Sequence, residues 1–280
     1  MDIKALLDTP PWEWPEDAGT TIRRVLLDEK AKESERLGAV ELAGNIVSMS
    51  DEMAAALLSV LQNVKEPERL RGLAAISMGP VLEQTDLEGF DDPLMDLDPP
   101  PISEPVFLTI RKALHETYLD TSNPKEVRRR AMEGSVRAPD EWHPAAIREA
   151  YASGDQEWVL TAVFAMRYVR GFNAQILESL NSKDPEIHME AVEAAGSGEI
   201  KAAWAHVSAL VKNKKTPKPV LLAAIGAVGQ IRSEEAKPLL VDLMDSEDEE
   251  IAEAADEALS LMGAYSEDED DFDEDEEEDK

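Results

Sequence analysis

Histidine and carboxylate side chains are the groups in this sequence whose types best suit acid–base or metal chemistry. The four histidines, His115, His143, His188 and His206, are far apart, and only His115 is followed directly by a glutamate, Glu116. The chain has no cysteine, which excludes a cysteine nucleophile, a thiolate zinc site and a disulfide framework. It also lacks a glycine-rich phosphate loop, an HExxH motif and a nucleophile elbow. The sequence therefore predicts a protein that is not an enzyme, with no catalytic residue, metal or cofactor.

Arginine and aromatic residues are concentrated in residues 128–172, which hold half of the arginines in the chain. Arginine, tryptophan and tyrosine are enriched at protein-binding hot spots, and guanidinium groups form paired hydrogen bonds with carboxylates. We therefore expect an acidic protein or peptide partner here. The candidate contact residues are Arg128, Arg129, Arg137, Trp142, His143, Arg167, Tyr168 and Arg170. Packing between helices would explain these residues equally well, and it is the better explanation for Trp158 and Phe164.

A second candidate contact is the proline-flanked pair Trp12 and Trp14, within Pro10 to Pro15. Prolines stiffen this segment, and side chains two residues apart can point in opposite directions. The pair suits docking into a groove, either on a partner or on the first repeat of the same chain. We expect docking onto the same chain, because a repeat array must cover the apolar face of its terminal unit.

An alanine that recurs about every 30 residues organises the rest of the chain. The recurring residues are Ala39, Ala74, Ala131, Ala162, Ala191, Ala224 and Ala255, and the last five are separated by 31, 29, 33 and 31 residues. An apolar residue stands four positions before each of these last five. Four residues make about one helical turn, so both share a face, and the small alanine lets another helix approach. Asn123-Pro124 and Asp184-Pro185 mark helix starts by a capping side chain followed by proline.

This pattern of helix pairs resembles the HEAT repeat over residues 34–262. The best matches are Asp184-Pro185-Glu186-Ile187 with Ala191, and Pro67-Glu68-Arg69-Leu70-Arg71 with Ala74. The resemblance implies an all-α fold, a right-handed alpha-alpha superhelix (a HEAT-like solenoid) of about seven helix-pair repeats. It also implies a monomeric, non-catalytic protein-protein interaction scaffold or adaptor that binds a partner segment along the solenoid surface.

Other HEAT-like proteins suggest alternative functions. The resemblance to deoxyhypusine hydroxylase would imply two bound irons, but that site needs repeated His-Glu pairs and this chain has one. Phycobilin lyases imply an accessory chaperone or lyase-like role on a client protein or its cofactor, which requires an accessible apolar cleft. DNA-binding relatives use a basic surface, whereas this chain has a formal charge of −32. We therefore expect no duplex nucleic acid, although acidic mimicry of nucleic acid stays an alternative.

The charge distribution also predicts the domain boundaries. Residues 1–33 form an N-terminal Trp/Pro segment and capping helix, and residues 34–262 form the repeat domain. An acidic loop insertion at about 83–104 interrupts the repeats, and residues 263–280 form a disordered acidic tail. Because no apolar stretch approaches the ~20 residues of a membrane span, and no basic-then-apolar leader is present, we expect a cytoplasmic protein without membrane contact.

Overall fold

The computed structural model describes residues 1–90 and 100–274, and it describes side chains up to residue 262. This part of the chain is helical and contains no strand, so the all-α prediction is confirmed. The first helices are α1 (Ile3–Leu7), α2 (Ala18–Leu27), α3 (Glu33–Ala43), α4 (Asp51–Gln62), α5 (Glu68–Ser77), α6 (Gly79–Glu88), α7 (Glu104–Leu119) and α8 (Lys125–Ser135). They are followed by α9 (His143–Ala152), α10 (Gln156–Ala165), α11 (Asn173–Ser179), α12 (Pro185–Ser197), α13 (Trp204–Lys212), α14 (Lys218–Ile231), α15 (Ser233–Met244) and α16 (Glu249–Glu274).

The recurring alanines occupy the first helix of each pair. They lie on α3, α5, α8, α10, α12, α14 and α16, and all seven are completely buried. The second helices of the pairs are α4, α7, α9, α11, α13 and α15. A buried methyl group at this position allows successive first helices to pack closely. In chain order, the described helices therefore comprise six complete pairs and α16, the first helix of a seventh.

By compactness the chain divides into two units, Met1–Ala146 and Ile147–Lys280, with the boundary inside α9. The sequence does not predict this division, because the alanine pattern continues through both units. Unit 1 contains α1 to α8 and the first turn of α9, and unit 2 contains the remaining helices.

Only some of the predicted helix starts have the expected cap. At α12, Asp184 Oδ1 accepts hydrogen bonds from the backbone N–H groups of Glu186 (3.0 Å) and Ile187 (3.3 Å), as predicted. At α8 the prediction is wrong, because Pro124 itself takes the cap position and no side chain caps the helix. The side-chain oxygen of Asn123 instead accepts a 2.6 Å hydrogen bond from Arg71 Nη2.

Three arginines in unit 1 join successive helix pairs. Each lies three residues before a recurring alanine, and its Nε donates to a backbone carbonyl ten residues earlier. The pairs are Arg36 with Leu26 (3.0 Å), Arg71 with Leu61 (2.8 Å) and Arg128 with Tyr118 (2.8 Å). These carbonyls lie at the ends of the preceding helices, where backbone acceptors lack partners within the helix. The arginine ladder therefore satisfies helix ends that would otherwise remain unpaired.

The boundaries of the terminal and inserted segments differ from the predicted ones. Helix α6 continues to Glu88 and α7 begins at Glu104, so the interruption is shorter than the predicted insertion at 83–104. Within that interruption, residues 91–99 lie outside the described residues. The backbone of 263–274 is helical, whereas the sequence predicts a disordered tail from 263. Neither proline nor glycine follows Gly263 to end a helix. Residues 275–280 lie outside the described part.

Helices α5 and α8 pack closely at Gly134. A Cβ atom there would overlap the backbone oxygen of Ala75, which belongs to the facing helix and cannot move independently. We expect Gly134→Ala to lower the free energy of unfolding by about 2 kcal/mol, measured by urea denaturation. Gly226→Ala on α14 is the matched control, because its Cβ would meet no atom within 4 Å. The control should gain a few tenths of a kcal/mol or more from helix propensity. Equal effects of the two substitutions would contradict the close packing.

Candidate protein-binding site

The arginines at the start of α8 contact groups of the same chain. Arg129 is buried, and its guanidinium lies 2.9 Å from Glu126 Oε2 and 3.6 Å from Glu133 Oε1. Arg130 contacts the same two glutamates, with Nε 2.7 Å from Glu126 Oε1 and Nη1 2.8 Å from Glu133 Oε2. Arg128 belongs to the arginine ladder and also covers the ring of Tyr118. The three guanidinium groups are therefore already engaged in contacts within the chain, which leaves them less available to an acidic partner.

Arg137 is likewise used between helices of unit 1. Its Nη1 lies 2.6 Å from Glu83 Oε2, which joins the chain after α8 to helix α6. A Cβ atom at Gly79 would come within 2.6 Å of Arg137 Cδ, so the glycine makes room for the stem of the arginine. The half-buried ion pair connects residues 54 positions apart in the sequence.

Trp142 lies in a stack of aromatic rings in unit 1. Its ring centroid lies 4.3 Å from that of His115, 3.8 Å from that of His143 and 5.1 Å from that of Tyr118. The His115 ring is nearly parallel to the indole, at 8°. The structure thus brings two predicted residues, Trp142 and His143, together. It also adds His115 and Tyr118 from α7, which pack the start of α9 against α7.

His143 is almost completely buried, and both of its ring nitrogens are occupied. Nδ1 accepts a 2.8 Å hydrogen bond from the backbone N–H of Asp140, and Nε2 lies 3.0 Å from Ser135 Oγ. Burial lowers the pKa of His143 to about 4, because the charged imidazolium would lose its hydration. His143 is therefore a neutral, structural residue at pH 7 and does not present a surface to a partner.

In unit 2, Arg167 is the centre of a charged and aromatic cluster. It forms an ion pair with Glu193 and lies 3.6 Å from Glu190, both on α12. Its guanidinium also lies 5.6 Å from the ring centroid of Phe164 and 5.8 Å from that of Tyr168. Internal carboxylates again occupy a guanidinium that the sequence predicts to bind a partner. The half-buried ring of Tyr168 is mainly a support for Arg167.

Arg170 is the most accessible of the eight predicted residues. Its side chain is exposed, and Nη1 donates a 2.8 Å hydrogen bond to the backbone oxygen of Ser197. The predicted residues thus fall into two groups, with five in unit 1 and three in unit 2. Within each group, the contacts are those of helices packing against each other. The sequence is explained equally well by such packing and by a partner site.

The tryptophans of the N-terminal segment have separate roles. Trp14 is half-buried, and its indole Nε1 donates to the backbone oxygens of Thr9 (2.9 Å) and Leu6 (3.2 Å). Trp12 lies on a short 3₁₀ turn, Pro11–Glu13, and 81% of its surface is exposed. The prediction of docking onto the same chain therefore holds for Trp14 and fails for Trp12, because one indole faces helix α1 and the other faces solvent.

The two tryptophans should respond differently to truncation. We expect Trp14→Ala to lower the free energy of unfolding by about 2 kcal/mol, since it removes a half-buried ring and the donor for two carbonyls. Trp12→Ala should change it by no more than about 0.5 kcal/mol. Thermal and urea unfolding of both variants measure the difference. A loss of stability on Trp12→Ala equal to that of Trp14→Ala would contradict the exposed placement.

Sequence reasoning missed a small cavity in unit 1, between the end of α6 and the start of α7. Its volume is about 190 Å³. We call it the acidic–aromatic cavity, and its lining residues are Thr85, Asp86, Gly89, Phe90, Glu104, Phe107 and Leu108. Ligand pockets usually measure about 300–1,000 Å³, so this one suits a single side chain better than a cofactor. The two phenylalanines are far apart in the sequence, and the surrounding acidic run gave no sign that they meet.

His188 on α12 and His206 on α13 form the other histidine contact. Their Nε2 atoms are 2.9 Å apart and burial lowers the pKa of both, so a neutral hydrogen-bonded pair explains the geometry. Among the described side chains, no group of three or more potential ligands is placed to hold a metal ion. The described part of the chain also has no helix with the length and apolar character needed to cross a bilayer.

Comparisons with known proteins give two distant structural neighbours and one family match to part of the chain. Human deoxyhypusine hydroxylase in complex with glycerol has 16% sequence identity and a TM-score of 0.39, covering 89% of this chain and 97% of that chain. The X-ray structure of the Escherichia coli protein YibA has 15% identity and a TM-score of 0.39, covering 93% and 97%. No curated protein matches this sequence at a significant level. Residues 173–260, from the start of α11 into α16, match the family model of HEAT repeats, which confirms the sequence-based identification for this part of the chain.

Proposed function

We propose that this protein is a non-catalytic protein-interaction scaffold and that Trp12 anchors its partner. The observation that carries the proposal is the contrast between Trp12 and Trp14. Two hydrogen bonds fix the Trp14 ring against the first helix, while Trp12, two residues away, is 81% exposed. Tryptophan is the residue type most enriched at binding hot spots. A rigid support for an exposed indole reduces the conformational entropy lost when a partner covers it.

The charge of the chain favours a basic partner segment over the acidic one expected from the arginine content. Arg129, Arg137 and Arg167 each contact internal carboxylates, so their charge is already balanced. The whole chain has a formal charge of −32. A surface of this sign attracts lysine- and arginine-rich segments and repels acidic ones. Binding should therefore weaken as the ionic strength rises.

A comparison of three forms of the full chain tests the scaffold function. Wild type, Trp12→Ala and Val64→Ala are immobilised, and the proteins that bind each are quantified by mass spectrometry. Val64 is the matched control, because it is 78% exposed, apolar and in the same unit. A true partner should be retained by Val64→Ala. After purification, its affinity for Trp12→Ala should be about 30-fold lower than for wild type, since hot-spot truncations cost about 2 kcal/mol or more.

Two results would contradict the proposal. One is a partner that binds Trp12→Ala and wild type with the same affinity. The other is a partner that duplex DNA displaces and that is insensitive to Trp12, which is the behaviour of an acidic nucleic-acid mimic. A calorimetric titration at two salt concentrations completes the test, because a basic partner must bind more weakly at the higher one.

A further inference from the structure

The acidic–aromatic cavity combines carboxylates with aromatic rings. Phe90 and Phe107 form its apolar wall, with ring centroids 5.6 Å apart and an edge-to-face angle of 67°. The carboxylates of Asp86 and Glu104 lie at the same cavity and are exposed. Neither forms an ion pair or hydrogen bond within the described part of the chain. Among the described residues, these two carboxylates therefore have no ion-pair partner.

Thr85 adds an unsatisfied polar group to this cavity. Its side chain is completely buried and lines the cavity, and its hydroxyl has no hydrogen-bond partner among the described residues. Buried hydroxyl groups nearly always have a partner, because desolvation without a hydrogen bond is costly. On the same helix, one carboxylate oxygen of Glu88 and the side-chain oxygen of Gln84 are also buried and unpaired. Gln84 and Glu88 do not line the cavity, so the Thr85 hydroxyl is the group of this set that can pair with a side chain entering it.

Arg111 shows that a cation fits against this aromatic wall. Its guanidinium carbon lies 5.4 Å from the centroid of Phe107, and its Nη2 lies 2.9 Å from Asp140 Oδ2. Asp140 therefore balances the charge of Arg111. Arg111 therefore does not balance the negative charge of Asp86 and Glu104. A cation bound by these carboxylates would also gain a cation–π interaction with the aromatic rings.

From these contacts we propose that the acidic–aromatic cavity binds a lysine or arginine side chain of the basic partner segment. This inference rests on the proposed scaffold function and names a second contact for the same partner. The head group pairs with Asp86 and Glu104, the aliphatic stem packs on Phe90 and exposed Leu108, and the Thr85 hydroxyl accepts a hydrogen bond. A volume of about 190 Å³ accommodates one such side chain.

Side-chain mimics test the cavity without the partner. The full chain, labelled with ¹³C in threonine and leucine methyl groups, is titrated with n-butylammonium or methylguanidinium and observed by NMR. The Thr85 and Leu108 methyl signals should shift and saturate, while those of Thr20 and Leu119, which do not line the cavity, stay constant. Neutral n-butanol is the matched ligand, and it should bind about tenfold more weakly because it lacks the charge. Equal binding of n-butanol would overturn the proposal.

Variants of the cavity separate this proposal from the scaffold function. The double variant Asp86→Asn/Glu104→Gln should bind n-butylammonium about tenfold more weakly, while exposed Glu52→Gln on α4 should keep the affinity within about twofold. Equal effects of the two would overturn the cavity site. So would n-butylammonium binding that appears only after residues 91–99 are replaced by a Gly-Ser linker, since that segment would then be the natural occupant. A partner that requires Trp12 but ignores the double variant leaves the scaffold function standing and removes only the cavity.

Discussion

Replacing Glu66 by alanine is expected to lower the free energy of unfolding by about 3–5 kcal/mol. Glu66 forms a two-pronged ion pair with Arg36 in unit 1, with distances of 2.7 and 2.8 Å, and the side chains are 9% and 8% exposed. The hydrogen bonds to Glu66 raise the pKa of Arg36. Without Glu66 the guanidinium keeps its bond to the Leu26 carbonyl but becomes a buried charge with no carboxylate against it. The cost comes mainly from this uncompensated charge.

An exposed ion pair on the same helix provides the control. Lys32 and Glu35 lie 3.5 Å apart, but their side chains are 81% and 49% exposed, so Glu35→Ala should cost less than about 1 kcal/mol. Urea denaturation followed by circular dichroism measures both variants. The double substitution Arg36→Met/Glu66→Leu should recover most of the lost stability, because it removes both charges. If Glu66→Ala and Glu35→Ala are equally mild, the pair is not buried as described.

The repeat could be predicted because its information is local and periodic. A small residue at a fixed position such as Ala131 or Ala191 has one physical role, which is to admit the next helix, and all seven alanines are buried. Aspartate followed by proline also predicts a helix start correctly at Asp184, since the cap involves residues only two or three positions apart. Patterns of this kind depend on neighbours that the sequence itself places together.

The use of Arg71 and Arg137 could not be predicted, because their partners are distant in the sequence. Arg137 pairs with Glu83 and Arg71 with Asn123, each more than 50 positions away. Composition identifies a guanidinium group but does not say whether its carboxylate belongs to the same chain or to a partner. One signal was present: Arg36, Arg71 and Arg128 each lie three residues before a recurring alanine. A charge that follows the core periodicity indicates a structural role.

The N-terminal segment and the cavity show intermediate cases. The spacing of Trp12 and Trp14 allows the two rings to have different surroundings, but only the position of α1 decides which ring is covered. Phe90 and Phe107 lie on opposite sides of an acidic stretch in the sequence. The charge of this stretch predicts an insertion but gives no indication that the two rings are in contact. Their contact depends on how α6 and α7 pack, which the local pattern does not specify.

Acidification is expected to destabilise unit 1 through His143. Burial lowers the pKa of His143 to about 4 in the folded protein, whereas a free imidazole has a pKa of 6.5. The backbone N–H of Asp140 also donates to Nδ1, so protonation of that nitrogen would remove its acceptor. Between pH 6.5 and pH 4, the imidazole of His143 is mostly protonated in the unfolded chain and mostly neutral in the folded protein. This contribution is therefore complete above pH 6.5, declines as the pH falls, and has lost about 3 kcal/mol near pH 4.

Two measurements isolate this effect from the titration of the many carboxylates. The first is the imidazole NMR signal of His143, whose midpoint should lie near pH 4, and a midpoint near 6.5 would contradict the buried position. The second is the unfolding free energy of wild type and His143→Gln at pH 7 and pH 4. Because carboxylates titrate in both proteins, their contribution cancels in the difference. Glutamine cannot bind a proton, so the advantage of wild type over the variant should shrink by about 3 kcal/mol between the two pH values. A constant difference would mean that folding leaves the affinity of His143 for protons unchanged.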